Sequence, residues 1–345
     1  MIDRFAATDA GILAMSASVA MVAAWGGTAL ALRTAHAIGM VSQPNPIVPQ
    51  HTRSIAYLGG LGVALGIGAA TIVTSLIVGS TDAGSSTRQS EAILGGAAAF
   101  LVLGILDDRR AFGAATKFAL QAIIAAVVVW LGVCAPVCGV PLIDGLASWF
   151  WICMLVNAFN FVDVSDGLLA SVSTCVFAAL AVVFPPVAVL AVPASAACIG
   201  FLPRNHPPAT IFLGDAGSHL LGFLAAALTI VGVGGCSSPV AGVVVSSIIL
   251  VVPLFELCFI TVARVRKGLP WWKGSPDHFA LRMQAEGFTR LQVNAIAVGA
   301  TCLASLVAIA ALALSNHFVF VAAMVVLFAV VPCWRRLDLM GQCTK

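Results

Sequence analysis

The chain is dominated by long apolar segments, each closed by a short polar or charged stretch. Hydrophobic residues make up 61% of the sequence, charged residues only 9%, and the mean hydropathy is +1.06. In soluble domains about a quarter of the residues are charged. Apolar segments of about 20 residues are long enough to cross a bilayer as helices. We therefore predict an all-α polytopic membrane protein that forms a single integral-membrane domain over residues 1–345.

Eleven segments are apolar enough to be candidate spans. The first is long and follows an acidic N-terminus, so we interpret it as a span and not as a cleaved signal peptide. The predicted spans cover residues 11–32, 56–79, 92–106, 116–134, 146–162, 168–184, 187–202, 215–235, 240–262, 291–313 and 317–334.

The basic residues divide unevenly between the two sides of this predicted topology. Of the 17 Lys and Arg residues, 15 fall on the odd-numbered connections and the C-terminal tail, leaving Arg4 and Arg88 on the other side. Loops rich in Lys and Arg stay in the cytoplasm. The sequence thus predicts an N-terminus outside, a C-terminus in the cytoplasm and a location in the inner, cytoplasmic membrane.

One stretch, VNAFNFVDVSDGLLA, places amides and carboxylates within apolar surroundings. Asn157, Asn160, Asp163 and Asp166 follow one another at steps of three, which on a helix keeps side chains on one slowly drifting stripe. Ionisable groups at membrane depth are costly and usually functional. The alternative is an acidic, solvated loop between two helices.

A second acidic pair ends the third predicted span, in GILDDRR. Asp107 and Asp108 are adjacent, so on a helix they point about 100 degrees apart and cannot chelate one ion through the same face. We expect one to face a reacting group and the other to orient it. Alternatively, both pair with the arginines at the helix end. Lys117 then begins the fourth span, where it either reaches an anion or snorkels to the membrane surface.

The eighth predicted span begins with an aspartate between glycines, in IFLGDAGSHLLG. Gly214 and Gly217 allow close approach of backbone and substrate, and Ser218 is expected to cap the new helix. Asp215 would then lie at a rigid helix start, either as a ligand of a hard cation or only as part of the cap.

The predicted topology brings these groups to one membrane face, together with His51 and His278 from cytoplasmic loops. The longest of these loops, 264–290, is basic and contains SPDHFALRM. Its cations suit either anionic lipid headgroups or a nucleotide diphosphate. Carboxylates combined with Lys and Arg suit a divalent cation and a phosphate-bearing substrate. An ion-coupled transporter is the alternative from another class, but its polar groups would lie at mid-depth.

Five motifs in order resemble the polyprenyl-phosphate N-acetylhexosamine-1-phosphate transferases, closer to the WecA type than to the MraY type. The resemblance covers residues 40–290. Its motifs are PN…H…GG, GxxDD followed by a lysine, NAFNFVDVSDGL, FLPRNHPPATIFLGDAGSHLLG and SPDHFALRM.

The resemblance implies transfer of a HexNAc-1-phosphate, with GlcNAc-1-phosphate favoured, from a UDP-sugar to polyprenyl (undecaprenyl) phosphate. UMP leaves, and the product initiates a cell-envelope polysaccharide. A phospho-MurNAc-pentapeptide transferase is the alternative within the family, and an inactive lipid-binding homologue is a third. The implied cofactor is Mg²⁺, with Mn²⁺ as the alternative. The partners are the UDP-HexNAc, the lipid and the membrane, with a homodimer left open and no nucleic acid.

The resemblance also implies residue roles. The catalytic residues would be Asp107, Asp108, Asp163 and Lys117, and Asp215 with Asn160 would hold the metal. The substrate-binding residues would be Asn157, Asp166, Gly167, Asn205, His51, His278 and Arg282.

This chain departs from the family's pattern at three positions. Ala280 stands where the family has a second histidine, Val164 where a glycine is usual, and Gln43 where an aspartate precedes the proline. These departures bear on the identity of the sugar, because the carboxylates and Asn160 are retained.

Overall fold

The computed structural model describes residues 10–42, 54–78, 85–270, 272 and 275–340 of the chain. Within them, helices alternate with short connections, and one hairpin of two-residue strands is present. The helices are α1 (Ala10–Ala37), α2 (Gly59–Val78), α3 (Ser85–Arg110), α4 (Ala114–Trp130), α5 (Pro141–Val162), α6 (Leu168–Val183), α7 (Ala188–Asn205), α8 (Gly214–Gly234), α9 (Pro239–Ile249), α10 (Val251–Arg266), α11 (Phe279–Ala285), α12 (Arg290–Leu314) and α13 (Asn316–Met340); the strands are β1 (Val41–Ser42) and β2 (Ile55–Ala56).

The helices have the length and composition of membrane spans. Eight of those described can cross a membrane alone, and α9 with α10 forms a ninth candidate that bends by 75° at its break. Two shorter apolar helices, α4 and α6, accompany them. Each of the eleven predicted spans overlaps one of these helices or the bent pair. The chain is thus an all-α polytopic membrane protein, while the count of eleven and the orientation stay predictions.

Helix α8 forms the centre of the bundle, and 94% of its most apolar window is buried. Its neighbours approach so closely that glycines lie at the contacts. A Cβ atom built on Gly60 of α2 would lie 2.3 Å from the backbone nitrogen of Gly217, and one on Gly104 of α3 would lie 2.3 Å from the carbonyl oxygen of Asp215. Small residues at such contacts let helix backbones pack closely in membranes. The start of α8 is therefore fixed from two sides.

The ends of several helices meet at the start of α8. Helices α3 and α5 finish there and α4 begins there, as their contacts with Asp215 show, and the start of α12 contacts Asp166 in the connection after α5. The chain direction thus brings the polar ends of apolar helices together, and this end of the bundle contains the acidic motifs of the sequence.

The hairpin was not expected from the sequence. Its strands pair antiparallel, with Val41 opposite Ala56 and Ser42 opposite Ile55. Ala56 also forms a parallel bridge to Ile211, just before α8. The hairpin therefore covers the same end of the bundle.

The contact at Gly104 gives a direct test of this packing. We expect Gly104→Ala to lower the thermal unfolding temperature in detergent, because overpacking a tight contact costs about 1–3 kcal/mol. Gly95→Ala is the matched control on α3, since nothing lies within 4 Å of a Cβ there. Equal unfolding temperatures for the two variants would contradict the close approach of α3 and α8.

Candidate active site

A cavity of about 470 Å³ opens where these helix ends meet. Five of its lining residues are aspartates, contributed by α3, α8 and the connection after α5. The lining residues are Ser42, Ile55, Tyr57, Asp107, Asp108, Ala111, Phe112, Asp163, Val164, Ser165, Asp166, Asn205, Phe212, Gly214, Asp215 and Arg290. The structure thus brings together carboxylates that are up to 108 positions apart in the sequence.

A lysine bridges two of these carboxylates. The Nζ atom of Lys117 lies 2.8 Å from Oδ2 of Asp107 and also contacts Oδ2 of Asp215. Asp107 in addition accepts a hydrogen bond of 2.6 Å from the backbone N–H of Phe112. Because the lysine is largely buried, it acts as a counterion inside the protein and not as a snorkelling surface residue.

The neighbouring aspartate has a different task. Both carboxylate oxygens of Asp108 accept backbone hydrogen bonds at the start of α8, from Asp215 N–H at 2.9 Å and from Ala216 N–H at 3.1 Å. A negative charge stabilises the N-terminus of a helix, where backbone N–H groups lack partners. Asp108 therefore caps α8 from another helix.

This cap replaces the one expected from the sequence. Ser218 does not cap α8; it lies inside the helix, and its hydroxyl contacts the carbonyl oxygen of Asp215 at 3.4 Å. The helix instead begins at Gly214, whose φ of 75° lies in the left-handed region. A Cβ at this position would lie 2.6 Å from an oxygen of Asp108. Glycine therefore allows the carboxylate to reach the helix start.

The predicted polar stripe of α5 divides between two environments. Asn160 donates to Oδ1 of Asp215 at 2.6 Å and to Ser218 at 3.0 Å. Asn157 points away from the cavity, because its amide donates to Gln121 and to the carbonyl of Cys153, each at 2.8 Å. These hydrogen bonds lie within the helix bundle, and substrate contact by Asn157 stays a prediction.

Asp163 lies just beyond the end of α5 and lines the cavity. Burial, together with the negative charges of Asp215 and Asp108, raises its pKa well above the ordinary value, although a hydrogen bond from the Gly214 backbone acts in the opposite direction. These surroundings therefore disfavour the ionised form of the Asp163 carboxyl group relative to water.

The turn after Asp163 is held by groups from three other elements. The backbone N–H of Gly167 donates to Oδ1 of Asn205 at 3.0 Å. Asp166 contacts Arg290 and accepts a hydrogen bond of 3.1 Å from the backbone of Ala209. Asn205 and Asp166 line the cavity, as predicted for substrate-binding residues, and Gly167 adopts a φ of 73° at the start of α6.

The remaining predicted residues lie elsewhere. His51 lies outside the described residues. Arg282 is 7% exposed and donates to Asp277 and to the backbone of Leu337, both at 2.9 Å, and its contact with substrate stays a prediction. The Nδ1 atom of His278 lies 2.6 Å from the buried Glu256. Neither residue lines the cavity, and substrate contact by His278 stays a prediction.

Sequence reasoning missed several residues of the cavity wall, among them Ser42, Tyr57, Phe212 and Arg290. Ser42 and Tyr57 come from the hairpin and are joined by a hydrogen bond of 3.1 Å from the tyrosine hydroxyl. Phe212 packs beside Tyr57, with 6.0 Å between ring centroids. Arg290 begins α12. For these residues the sequence offers one distinguishing feature, which is that Tyr57 is the single tyrosine of the chain.

The fold and site define a class of protein: a polytopic membrane protein with an acidic, lysine-bridged cavity at the ends of its helices. Residues 91–233 match the profile of glycosyl transferase family 4. The chain is 31% identical over 277 residues to decaprenyl-phosphate N-acetylglucosaminephosphotransferase of Mycobacterium leprae, covering 70% of each chain. It is 27% identical over 345 residues to undecaprenyl-phosphate alpha-N-acetylglucosaminyl 1-phosphate transferase of Escherichia coli K12, covering 91% of this chain and 86% of the relative.

The chain belongs to glycosyl transferase family 4. The resemblance seen in its motifs is thereby confirmed, and the matched region contains Asp107, Lys117, Asn160, Asp163 and Asp215.

Removing the cap of α8 should destabilise the protein. We expect Asp108→Ala to lower the free energy of unfolding by about 0.5–2 kcal/mol, the usual cost of a lost N-cap. Asp108→Asn retains one oxygen acceptor and should lose less. Thermal unfolding in detergent measures both, and an unfolding temperature of Asp108→Ala equal to that of the wild type would rule out the capping role.

The raised pKa of Asp163 predicts a pH dependence of stability. A carboxyl group with a raised folded-state pKa binds its proton more tightly in the folded protein. Its contribution to stability is therefore complete below the ordinary aspartate pKa of about 4 and is lost as the pH rises through the raised value. Asp163→Asn should flatten this decline and raise the unfolding temperature at neutral pH.

This test is run in EDTA over a pH series, so that no divalent cation compensates the charge. Identical pH profiles for wild type and Asp163→Asn would show that burial does not penalise the ionised form of Asp163.

Proposed function

We propose that the protein transfers a HexNAc-1-phosphate, with GlcNAc-1-phosphate as the favoured group, from a UDP-sugar to a polyprenyl phosphate and releases UMP. One observation carries the proposal: a cavity with five aspartates, two of which are bridged by Lys117, lies where apolar helices end. The relatives are named for polyprenyl phosphate and N-acetylglucosamine. The location of the carboxylates at helix ends favours a transferase over an ion-coupled transporter.

We further propose that this cavity faces the cytoplasm in a bacterial inner membrane, within an arrangement of eleven spans. The distribution of Lys and Arg supports this orientation. A site at the end of the bundle can receive a water-soluble nucleotide sugar from one side and a lipid phosphate from the bilayer. The chemistry of both substrates therefore agrees with the position of the cavity.

The cavity residues suit a hard divalent cation, for which we propose Mg²⁺. In the described part of the chain, five aspartates line the cavity, and ion pairs join them to two cations, Lys117 and Arg290. No group of three or more His, Cys, Asp or Glu residues in the described part of the chain is arranged to hold a metal ion. Mg²⁺ takes one or two carboxylates and keeps its other positions for phosphate oxygens and water. Asp215, supported by Asn160, would hold it.

A bound Mg²⁺ would neutralise charge on the phosphates of the donor. Two further requirements, a fixed orientation of the Asp215 carboxylate and a positive charge beside the phosphates, are met by side chains of the protein. Asp215 is fixed by Asn160, Lys117 and the cap at the start of α8, so its carboxylate has one defined orientation. Lys117 places a positive charge beside the phosphates, and Asp107 orients that lysine.

In the proposed reaction, an oxygen of the lipid phosphate attacks the β-phosphorus of the UDP-sugar, and the bond to the UMP oxygen breaks. Phosphoryl transfer needs mainly positioning and charge neutralisation from a protein. A phosphate monoester with a second pKa of about 6 is already largely dianionic at neutral pH. Asp107 therefore serves as an orienting or proton-accepting group, and a covalent aspartyl intermediate is not required.

The test is UMP release by purified protein in detergent with polyprenyl phosphate and Mg²⁺, comparing UDP-GlcNAc, UDP-GalNAc and UDP-MurNAc-pentapeptide. We expect release from UDP-GlcNAc that requires both the lipid and the metal. Asp215→Asn should reduce the rate by about 100-fold or more, as expected when a preorganised electrostatic group is lost.

Asp338→Asn is the matched control, because Asp338 is outside the cavity and pairs with Arg266 at 2.7 Å. Release with the pentapeptide donor alone would replace the proposed substrate. No lipid-dependent release with any of the three donors would overturn the proposed function.

A further inference from the structure

Arg290 has no role in the reaction as proposed above, although it lines the cavity. Its NH1 atom contacts Oδ2 of Asp166, which also accepts the backbone hydrogen bond from Ala209. Both of these contacts are made to Oδ2 and neither to Oδ1. The arginine and Ala209 therefore fix which oxygen of the carboxylate is left for a ligand.

The position of Arg290 is unfavourable for the helix that contains it. It is the first residue of α12, where the helix dipole disfavours a positive charge. The start of α12 is already capped, because Thr289 and Gln292 form a reciprocal capping box. The cap of α12 therefore does not depend on an arginine at this position, and the ion pair with Asp166 places the arginine at the cavity.

A second residue of α12 anchors the same turn in a different way. Asn294, one turn further along, donates a hydrogen bond of 2.8 Å to the backbone carbonyl of Asp166. This contact holds the main chain, whereas Arg290 holds the carboxylate. The structural and the positioning tasks are therefore divided between two side chains, which allows them to be tested separately.

The surrounding wall suits the base-bearing half of a nucleotide. Phe212 and Tyr57 contribute aromatic rings to the cavity that contains Asp166 and Arg290. Rings of this kind stack on nucleobases, while a carboxylate and a guanidinium supply an acceptor beside a donor. A pyrimidine presents the complementary donor and acceptor on its edge.

We propose that Arg290 is a positioning residue for the nucleotide half of the donor. It orients the Asp166 carboxylate, with one oxygen directed to the pyrimidine edge. This inference rests on the proposed function, since it assumes a UDP-sugar donor. It assigns to Arg290 an effect on binding of the nucleotide, with no part in the transfer step.

The test measures binding of UMP by calorimetry and steady-state kinetics with UDP-GlcNAc. For Arg290→Ala we expect the Kd for UMP and the KM for UDP-GlcNAc to rise by about tenfold, the range for a lost charge-assisted contact. The kcat and the KM for polyprenyl phosphate should stay within about threefold. Arg290→Lys should restore part of the UMP affinity, because it retains the positive charge.

Three comparison variants separate positioning from stability. Arg266→Ala removes an ion pair outside the cavity and should leave UMP binding unchanged. We expect Asn294→Ala to lower the unfolding temperature clearly and to change the Kd for UMP only slightly. Combining Arg290→Ala with Asp166→Asn should weaken UMP binding no more than Asp166→Asn alone, because both act through one carboxylate.

The outcomes distinguish the inference from the function on which it rests. Wild-type protein that releases UMP, combined with unchanged UMP affinity in Arg290→Ala, overturns the inference alone. A loss of UMP affinity in Arg290→Ala that Arg290→Lys does not restore, and that parallels the fall in unfolding temperature, assigns Arg290 a structural role and also overturns it. Wild-type protein that neither binds UMP nor releases it overturns the proposed function itself.

Discussion

The two hydrogen bonds from the start of α8 to the Asp108 carboxylate determine the geometry of the whole site. They join α3 to α8 at the point where Gly104 lets the two backbones approach. Asp215 belongs to the same helix start, so its position relative to Asp107 and Lys117 follows from this junction. A carboxylate near membrane depth is costly unless it is paired. Here backbone N–H groups and one ammonium group provide the pairing.

Much of the fold was predictable because hydropathy is a local property. The eleven apolar segments all overlap helices, and the motifs around Asp107, Asp163 and Asp215 were expected at one end of the bundle from the topology alone. The prediction needed only that successive spans reverse direction. Helix ends depend on tertiary contacts, which is why α3 and α7 extend beyond the predicted spans.

The contacts within the site could not be predicted in the same way. Whether Asp108 faces a substrate or a helix start depends on which helix packs beside α3, and the sequence does not encode that neighbour locally. Arg282 belongs to a motif-like segment, but the nearby Asp277 takes its guanidinium into a buried ion pair. Tyr57 and Arg290 reach the cavity only through the hairpin and the start of α12. Their sequence surroundings carry no distinguishing pattern.

Because α8 is buried on all sides, a substitution can favour insertion of this helix into the bilayer and still disrupt its packing against the neighbouring helices. A larger apolar side chain at Gly217 would raise the hydropathy of the segment and favour its entry into a bilayer. A Cβ there would nevertheless lie 2.3 Å from the side chain of Leu213 and 3.0 Å from the backbone of Gly60. In this helix, natural variation that increases lipophilicity is therefore expected to be damaging, and scales of membrane insertion rank such substitutions in the wrong order.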